Sequence, residues 1–185
     1  MSPMPATNQI TTSRLLLRPI AAADAPALFG LMSDPATMRY WSTPPWTAMP
    51  EADAFIHAAQ TKSPDNLDVL FGIELRASGL LVGTCTLFDV IVPSRRAEVG
   101  YLLDRRHWGL GIMSEAATAL LSYGFGALAL NRVEADIDPR NLGSARLLER
   151  LGFVREGLLR ARWIVSGEVS DSAIYGLLAS EWKEP

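Results

Sequence analysis

Hydrophobic and polar positions alternate with different periods along the chain, and each change of period marks an element. Leu15, Leu16 and Leu17 form an apolar run between Arg14 and Arg18 that stops at Pro19, which predicts a strand. Leu28, Leu31 and Met32 follow at helical spacing, so a helix capped by Asp24 is expected before Ser33-Asp34-Pro35. Met38, Tyr40, Trp41 and Trp46 lie among Pro44, Pro45 and Pro50 and read as an aromatic loop. Ala54, Phe55, Ala58 and Ala59 give a second helix behind the acids Glu51 and Asp53.

From Val69 the period becomes two. Val69, Phe71, Ile73 and Leu75 alternate, and the runs Leu80 to Phe88 and Ala97 to Leu103 follow closely, which predicts an antiparallel meander. Met113, Ala116, Ala117, Leu120, Leu121 and Gly124 then mark one face of a long helix. A strand (Val133, Ala135, Ile137), a helix (Ala145, Leu147, Leu148, Leu151) ended by Gly152, and the strands Phe153–Trp163 and Val169–Leu178 complete the chain. The strand-helix-strand order over 97–137 needs a crossover, so the fourth and fifth strands should be parallel. The fold class expected is α/β in the α+β sense: a mixed, largely antiparallel sheet of about seven strands flanked by helices. Residues 1–10 read as a flexible N-terminal arm and 11–185 as a single domain.

Composition narrows the function classes. The 185 residues, 49% hydrophobic and 20% charged, are enough to bury a core without disulfides or a structural metal. The single Cys85 and the lack of a Cys/His ligand cluster imply no metal, and Cys85 in its apolar run is expected to be core. No basic-then-apolar leader and no long apolar run is present, so a cytoplasmic location away from membranes is expected. A formal charge of −3 argues against nucleic acid as a partner. Of 17 bases, 15 are Arg, and residues 95–162 hold 11 of them against 8 acids, a locally basic stretch in an acidic chain.

Within that stretch Arg105-Arg106-His107-Trp108-Gly109-Leu110-Gly111-Ile112-Met113 joins a strand to the longest helix. A helix start leaves amides unpaired, and glycines let a phosphate approach them. The P-loop template fails because Ile112 and Met113 follow Gly111 where Lys and Ser/Thr are needed. The dinucleotide template is poor because position 114 is Ser rather than Gly. The form R/Q-x-x-G-x-G/A is matched by Arg106 to Gly111. Here the chain resembles the GNAT N-acetyltransferases, whose loop of this form grips the pyrophosphate of acetyl-CoA. Asp34-Pro35 with Met38-Arg39-Tyr40-Trp41, Ala97-Glu98-Val99-Gly100-Tyr101, Asn141-Leu142-Gly143-Ser144, Leu151-Gly152-Phe153 and Tyr175-Gly176-Leu177-Leu178 are similar to the RimJ/RimL-like branch, which acetylates ribosomal-protein N-termini.

The resemblance implies an acetyl-CoA-dependent acyltransferase that acts by direct attack of an amine in a ternary complex, with coenzyme A as product. The fourth strand should splay from the fifth, with Tyr101, Leu102 and Leu103 offering backbone to the pantetheine arm and the Leu103 amide facing the thioester carbonyl. Arg105 to Met113, with His107, Trp108 and Leu110 among them, should hold the phosphates, and Asn141 and Ser144 the far side of the cofactor. The resemblance gives Ser144 the part of acid to the departing sulfur, whereas Asn141 is also a natural N-cap. Glu98 is the candidate base, since an ammonium has no lone pair to attack with; a solvated carboxylate paired with Arg95 or Arg96 is the competing reading. Tyr40, Trp41 and Trp163 are candidates for the acceptor pocket, with core and loop packing as the alternative. Relatives often carry an acid after Leu-Arg in the sixth strand, where this chain has Ala161 after Leu159-Arg160, so a carboxylate role there is expected to be lost. The acceptor is expected to be an amine, either a protein N-terminus or a small molecule, and the resemblance allows a homodimer. A non-catalytic acyl-CoA-binding or interaction domain is the alternative.

Overall fold

The computed structural model describes residues 9–61 and 67–183. In chain order it contains β1 (Ile10–Thr11), β2 (Leu15–Arg18), α1 (Ala25–Met32), α2 (Pro50–Gln60), β3 (Val69–Leu75), β4 (Leu80–Ile91), β5 (Arg96–Leu103), α3 (Ile112–Gly126), β6 (Arg132–Ile137), α4 (Leu142–Arg150), β7 (Val154–Val165) and β8 (Glu168–Leu178). One sheet of eight strands runs β1-β2-β3-β4-β5-β6-β8-β7, antiparallel throughout except for β5 and β6. The expected mixed sheet and its parallel pair are present, with one strand more than the seven expected. The extra strand is β1, where Ile10 pairs with Leu17. Ile10, assigned to the arm from sequence, is therefore part of the sheet, and residues 1–8 of that arm lie outside the described residues.

Helices cover both sheet faces because each face presents an apolar stripe. Met113, Ala116, Ala117, Leu120 and Leu121 of α3 pack with Leu147 and Leu148 of α4 against Leu15, Leu17, Phe71, Leu87, Ala97, Val99 and Leu177. On the other face Ala25, Leu28, Ala52 and Ile56 of α1 and α2 form a smaller cluster, and Leu31, Met32 and Met38 close over Leu102. Two local expectations are corrected. Helix α2 buries Ala52 and Ile56, while Ala54 and Ala58 are exposed, so the apolar face is rotated from the one expected. Asp24 makes no side-chain bond to the start of α1; its Oδ2 accepts the Ala21 N–H at 2.8 Å and both oxygens pair with Arg18.

The wedge that matters for function comes from β5 and β6. Their pairing stops after Arg96–Arg132, Ala97–Val133 and Glu98–Glu134, and the rest of β5 runs on without β6. Alternation puts Ala97, Val99 and Leu103 in the main core, with Tyr101 packed against it, and turns Glu98, Gly100 and Leu102 to the opposite face. A Cβ at Gly100 would stand 3.2 Å from both the Phe88 ring and the Thr86 methyl, so glycine leaves that face open beside Glu98.

Candidate active site

A cleft of about 1610 Å³ opens along the free part of β5. The helix start of α3, the aromatic side chains Tyr40, Trp41 and Trp163, and Glu98, Tyr101, Leu103 and Ser144 all contribute to its lining. His107, Trp108, Gly109, Gly111, Ile112, Met113, Leu102 and Asn141 also line it, so most residues singled out from sequence meet in one place. Arg105, Arg106 and Leu110 do not. Arg106 is bonded to Asp104, Arg105 Nε lies 3.6 Å from Asp34, and Leu110 keeps an exposed side chain while its carbonyl accepts from Arg14 at 2.9 Å.

The loop has the geometry for an anion. Gly109 and Gly111 sit at φ of 75° and 74°, the left-handed region that glycine enters without strain. A Cβ at Gly109 would meet nothing within 4 Å, so the backbone there faces open space. Gly111 is the N-cap of α3, and no side chain caps that helix, which leaves its first-turn amides and positive dipole end for a ligand. The residues present therefore fit a pyrophosphate. Trp108 folds back and its Nε1–H donates to the Leu103 carbonyl at 2.8 Å. Because the Asp104 N–H donates to Val82 on β4 at 2.8 Å, ladder alternation turns the Leu103 peptide groups the other way, into the wedge. His107 Nδ1 is buried with no hydrogen-bond partner, so that nitrogen is not presented to a phosphate.

A feature the sequence did not signal holds this loop in place. Glu115 on α3 accepts from the Thr12 hydroxyl at 2.6 Å, the Ser13 hydroxyl at 2.9 Å and the Arg14 N–H at 2.9 Å, and Arg14 Nε donates to it at 2.6 Å. Burial works against this carboxylate, but the bonds from Thr12, Arg14 and Ser13 outweigh it and bring the carboxyl down to about 2. A lowered carboxyl pKa contributes stability above the unfolded value and loses it as the pH falls toward the folded one. Glu115→Ala is expected to cost about 1–2 kcal/mol at neutral pH, the low end for lost acceptors because Ser13 and Arg14 stay open to water. The gap to wild type should shrink as the pH drops from the ordinary 4.5 toward about 2, and urea melts across that range check it.

Glu98 lies on the face of β5 that also carries Gly100 and Leu102. Burial, then the nearby carboxylates of Asp136, Asp89 and Glu134, raise its pKa to about 7 against the opposing pull of Arg162. It does not pair with Arg96, which is bonded to Glu134. Arg162 bonds Asp136 at 2.8 Å and stacks over Trp163 at 5.7 Å. Tyr40 lies near two guanidiniums, Arg39 at 5.6 Å and Arg140 at 6.0 Å, and both Arg side chains reach Glu168. Trp46 packs edge-on against Phe55 in the core behind. Ala161 stands at a positive φ of 51° where β7 slips register, and its N–H donates to Asp171 Oδ1 at 2.8 Å. A carboxylate therefore does reach this point, supplied by β8 rather than by position 161, and Asp171 lines the cleft.

On the opposite face of β5, Tyr101 Oη lies 2.6 Å from Ser144 Oγ. Asn141 caps α4 by accepting the Ser144 N–H at 3.1 Å, as its place in the sequence implied. Cys85 is fully buried, and burial pushes its thiol up to about 12, consistent with a core residue. Among the described residues no group of His, Cys, Asp or Glu is clustered to hold a metal ion, and no helix is long and apolar enough to cross a membrane.

Comparison with known proteins gives the same outline. The family profile for the acetyltransferase (GNAT) domain matches residues 14–154. The uncharacterized N-acetyltransferase p20 of Bacillus licheniformis is 37% identical over 171 residues, 92% of this chain and 96% of that protein. The solved spermidine N-acetyltransferase of Vibrio cholerae, in complex with CoA and spermine, superposes with a TM-score of 0.81 at 25% identity over 92% of this chain and 98% of that one. A second solved Vibrio cholerae protein, provisionally named a ribosomal-protein-serine acetyltransferase, gives a TM-score of 0.78 at 30% identity over 96% of this chain and 99% of that one.

Proposed function

The chain belongs to the GNAT family and is an acetyl-CoA-dependent N-acetyltransferase, and from that premise we propose that it passes acetyl directly to a cationic primary amine with Glu98 as base. The observation that carries this reading is Glu98 itself, a carboxyl with a pKa of about 7 on the wall of a cleft lined both by the glycine loop at the start of α3 and by aromatic side chains. A base whose pKa lies near neutral pH is half ionised where it works and can return its proton to water.

Acetyl-CoA, when bound, supplies the activated acetyl thioester. The backbone of Tyr101 to Leu103 and the turn from Gly109 to Met113 would hold it, with Asn141 and Ser144 on the α4 side. Glu98 takes one proton from the incoming ammonium, which frees the nitrogen lone pair for attack. The C–N bond forms as the C–S bond breaks, and the bonding pair leaves on sulfur. The Leu103 N–H, turned into the wedge, is the donor for negative charge that builds on the carbonyl oxygen. Ser144 is the donor to the departing sulfur, and the second nitrogen proton passes to water.

The lining carries Asp89, Glu98, Asp136, Asp138, Glu168 and Asp171 against Arg39, Arg140, Arg150 and Arg162, an acidic surplus that favours a positively charged amine over an anionic substrate. One solved neighbour is named for spermidine and another provisionally for ribosomal-protein serine, which supports an amine acceptor without choosing within the class. Calorimetry with acetyl-CoA, followed by thiol release with a panel of polyamines and of peptides with free N-termini, tests the proposal. Binding in the ~1 μM–1 mM range usual for substrates, and release with at least one amine, is expected. Acetyl-CoA binding with no release by any amine would leave only the non-catalytic alternative.

A further inference from the structure

The Tyr101 hydroxyl is bonded to Ser144 Oγ at 2.6 Å, and either oxygen can be the donor. Ser144 is the third residue of α4, its N–H is held by the Asn141 side chain, and both hydroxyls lie on the lining of the cleft. The Tyr101 ring is rigid, rooted in β5 and packed against the main core, so its hydroxyl cannot swing to another partner. We propose that Tyr101 is a positioning residue whose O–H donates to Ser144 Oγ, so that the serine's own proton is turned into the cleft toward the departing sulfur. This rests on the assignment of Ser144 above.

The competing idea is a relay in which Tyr101 surrenders its proton through Ser144. Burial raises the Tyr101 hydroxyl to about 12, against the pull of the Ser144 bond. A thiol titrates near ~8.5. Transfer from phenol to thiolate is thus strongly uphill, so Tyr101 keeps its proton and contributes direction rather than acid. The sulfur leaves with its electron pair, accepts the Ser144 hydrogen bond, and takes its proton from solvent. Glu98 and the Tyr101–Ser144 pair stand on opposite faces of one splayed strand, so the proton is removed from the nucleophile on one side and the leaving group is held on the other.

The test follows the thiol of bound CoA by its far-ultraviolet thiolate absorbance, alongside kinetics, in the wild type, Tyr101→Phe, Ser144→Ala and the double variant. In the wild type the bound thiol should titrate below free CoA. Tyr101→Phe is expected to raise that titration by ~1 unit, a tenfold loss of thiolate, and to lower kcat about tenfold while the acetyl-CoA KM moves less than about threefold. The double variant should lose no more than Ser144→Ala alone, because the two hydroxyls act as one unit. If Ser144→Ala shifts both readouts and Tyr101→Phe shifts neither, or if the double variant loses the product of the two single losses, the Tyr101 role is overturned. If Ser144→Ala itself is silent, the Ser144 assignment falls and the Tyr101 role with it.

Discussion

Glu98→Gln is expected to lower kcat/KM about 10²–10³-fold while leaving acetyl-CoA affinity nearly unchanged, since the amide keeps the shape and loses only the ability to accept a proton. In the wild type kcat/KM should rise with pH and level off above about 7, because Glu98 must be ionised to act. That limb should vanish in the variant. The same substitution should stabilise the fold, with a sign fixed by linkage. A carboxyl raised from 4.5 to about 7 binds more protons folded than unfolded, so its contribution is intact below 4.5 and is lost as the pH climbs through 7. Glu98→Gln should therefore melt higher than wild type at pH 8 and level with it at pH 4. A pH–rate profile and two thermal scans decide it, and a variant that keeps wild-type turnover removes Glu98 from the chemistry.

Gly109→Val is expected to weaken acetyl-CoA binding by at least ~100-fold, about 2.7 kcal/mol. Two effects combine. The φ of 75° costs a β-branched residue about 1–2 kcal/mol, which the free chain shows as a drop of a few degrees in thermal midpoint. The larger effect appears only with ligand, because the new Cβ projects into the open space beside the helix start of α3, where a phosphate has to approach the backbone. Calorimetry against free CoA separates the two contributions. Wild-type affinity in this variant would mean that the phosphates are held elsewhere.

What the chain disclosed in advance follows from how local each feature is. The buried face of α3 was legible because Met113, Ala116, Ala117, Leu120, Leu121 and Gly124 keep one strict period. The face of α2 was not, since alanines at 52, 54, 58 and 59 offer little contrast and Ile56 decides the rotation through tertiary packing. The parallel pair was legible from the crossover it requires, whereas the position of β8 between β6 and β7 was not, because nothing local sets that order. The Arg surplus over 95–162 covers β5 and the start of α3, which line the cleft, but several of its guanidiniums turn to acids instead. Arg96, Arg132, Arg140 and Arg162 are bonded to Glu134, Glu156, Asp138 and Asp136, and three of these four partners lie 24 to 38 positions away, where a running charge count cannot see them. Helix-start amides and glycine geometry offer the phosphate site more than free guanidinium charge does. The Tyr101–Ser144 and Arg14–Glu115 contacts join residues 43 and 101 positions apart, beyond any local pattern.

Because β8 lies between β6 and β7, the edge of β6 from Arg132 to Ile137 has no neighbour on that side until the last strand of the sheet is in place. On a ribosome, the anion loop and the β2–β5 meander can form early, whereas Asp171, and Trp163 paired through β8, join the cleft only at the end. A nascent chain stalled before β8 should then hold the glycine loop, Tyr40, Trp41 and Glu98 while lacking the Asp171 carboxylate. It would also present an unpaired strand edge, the surface a chaperone or an aggregating neighbour would meet first.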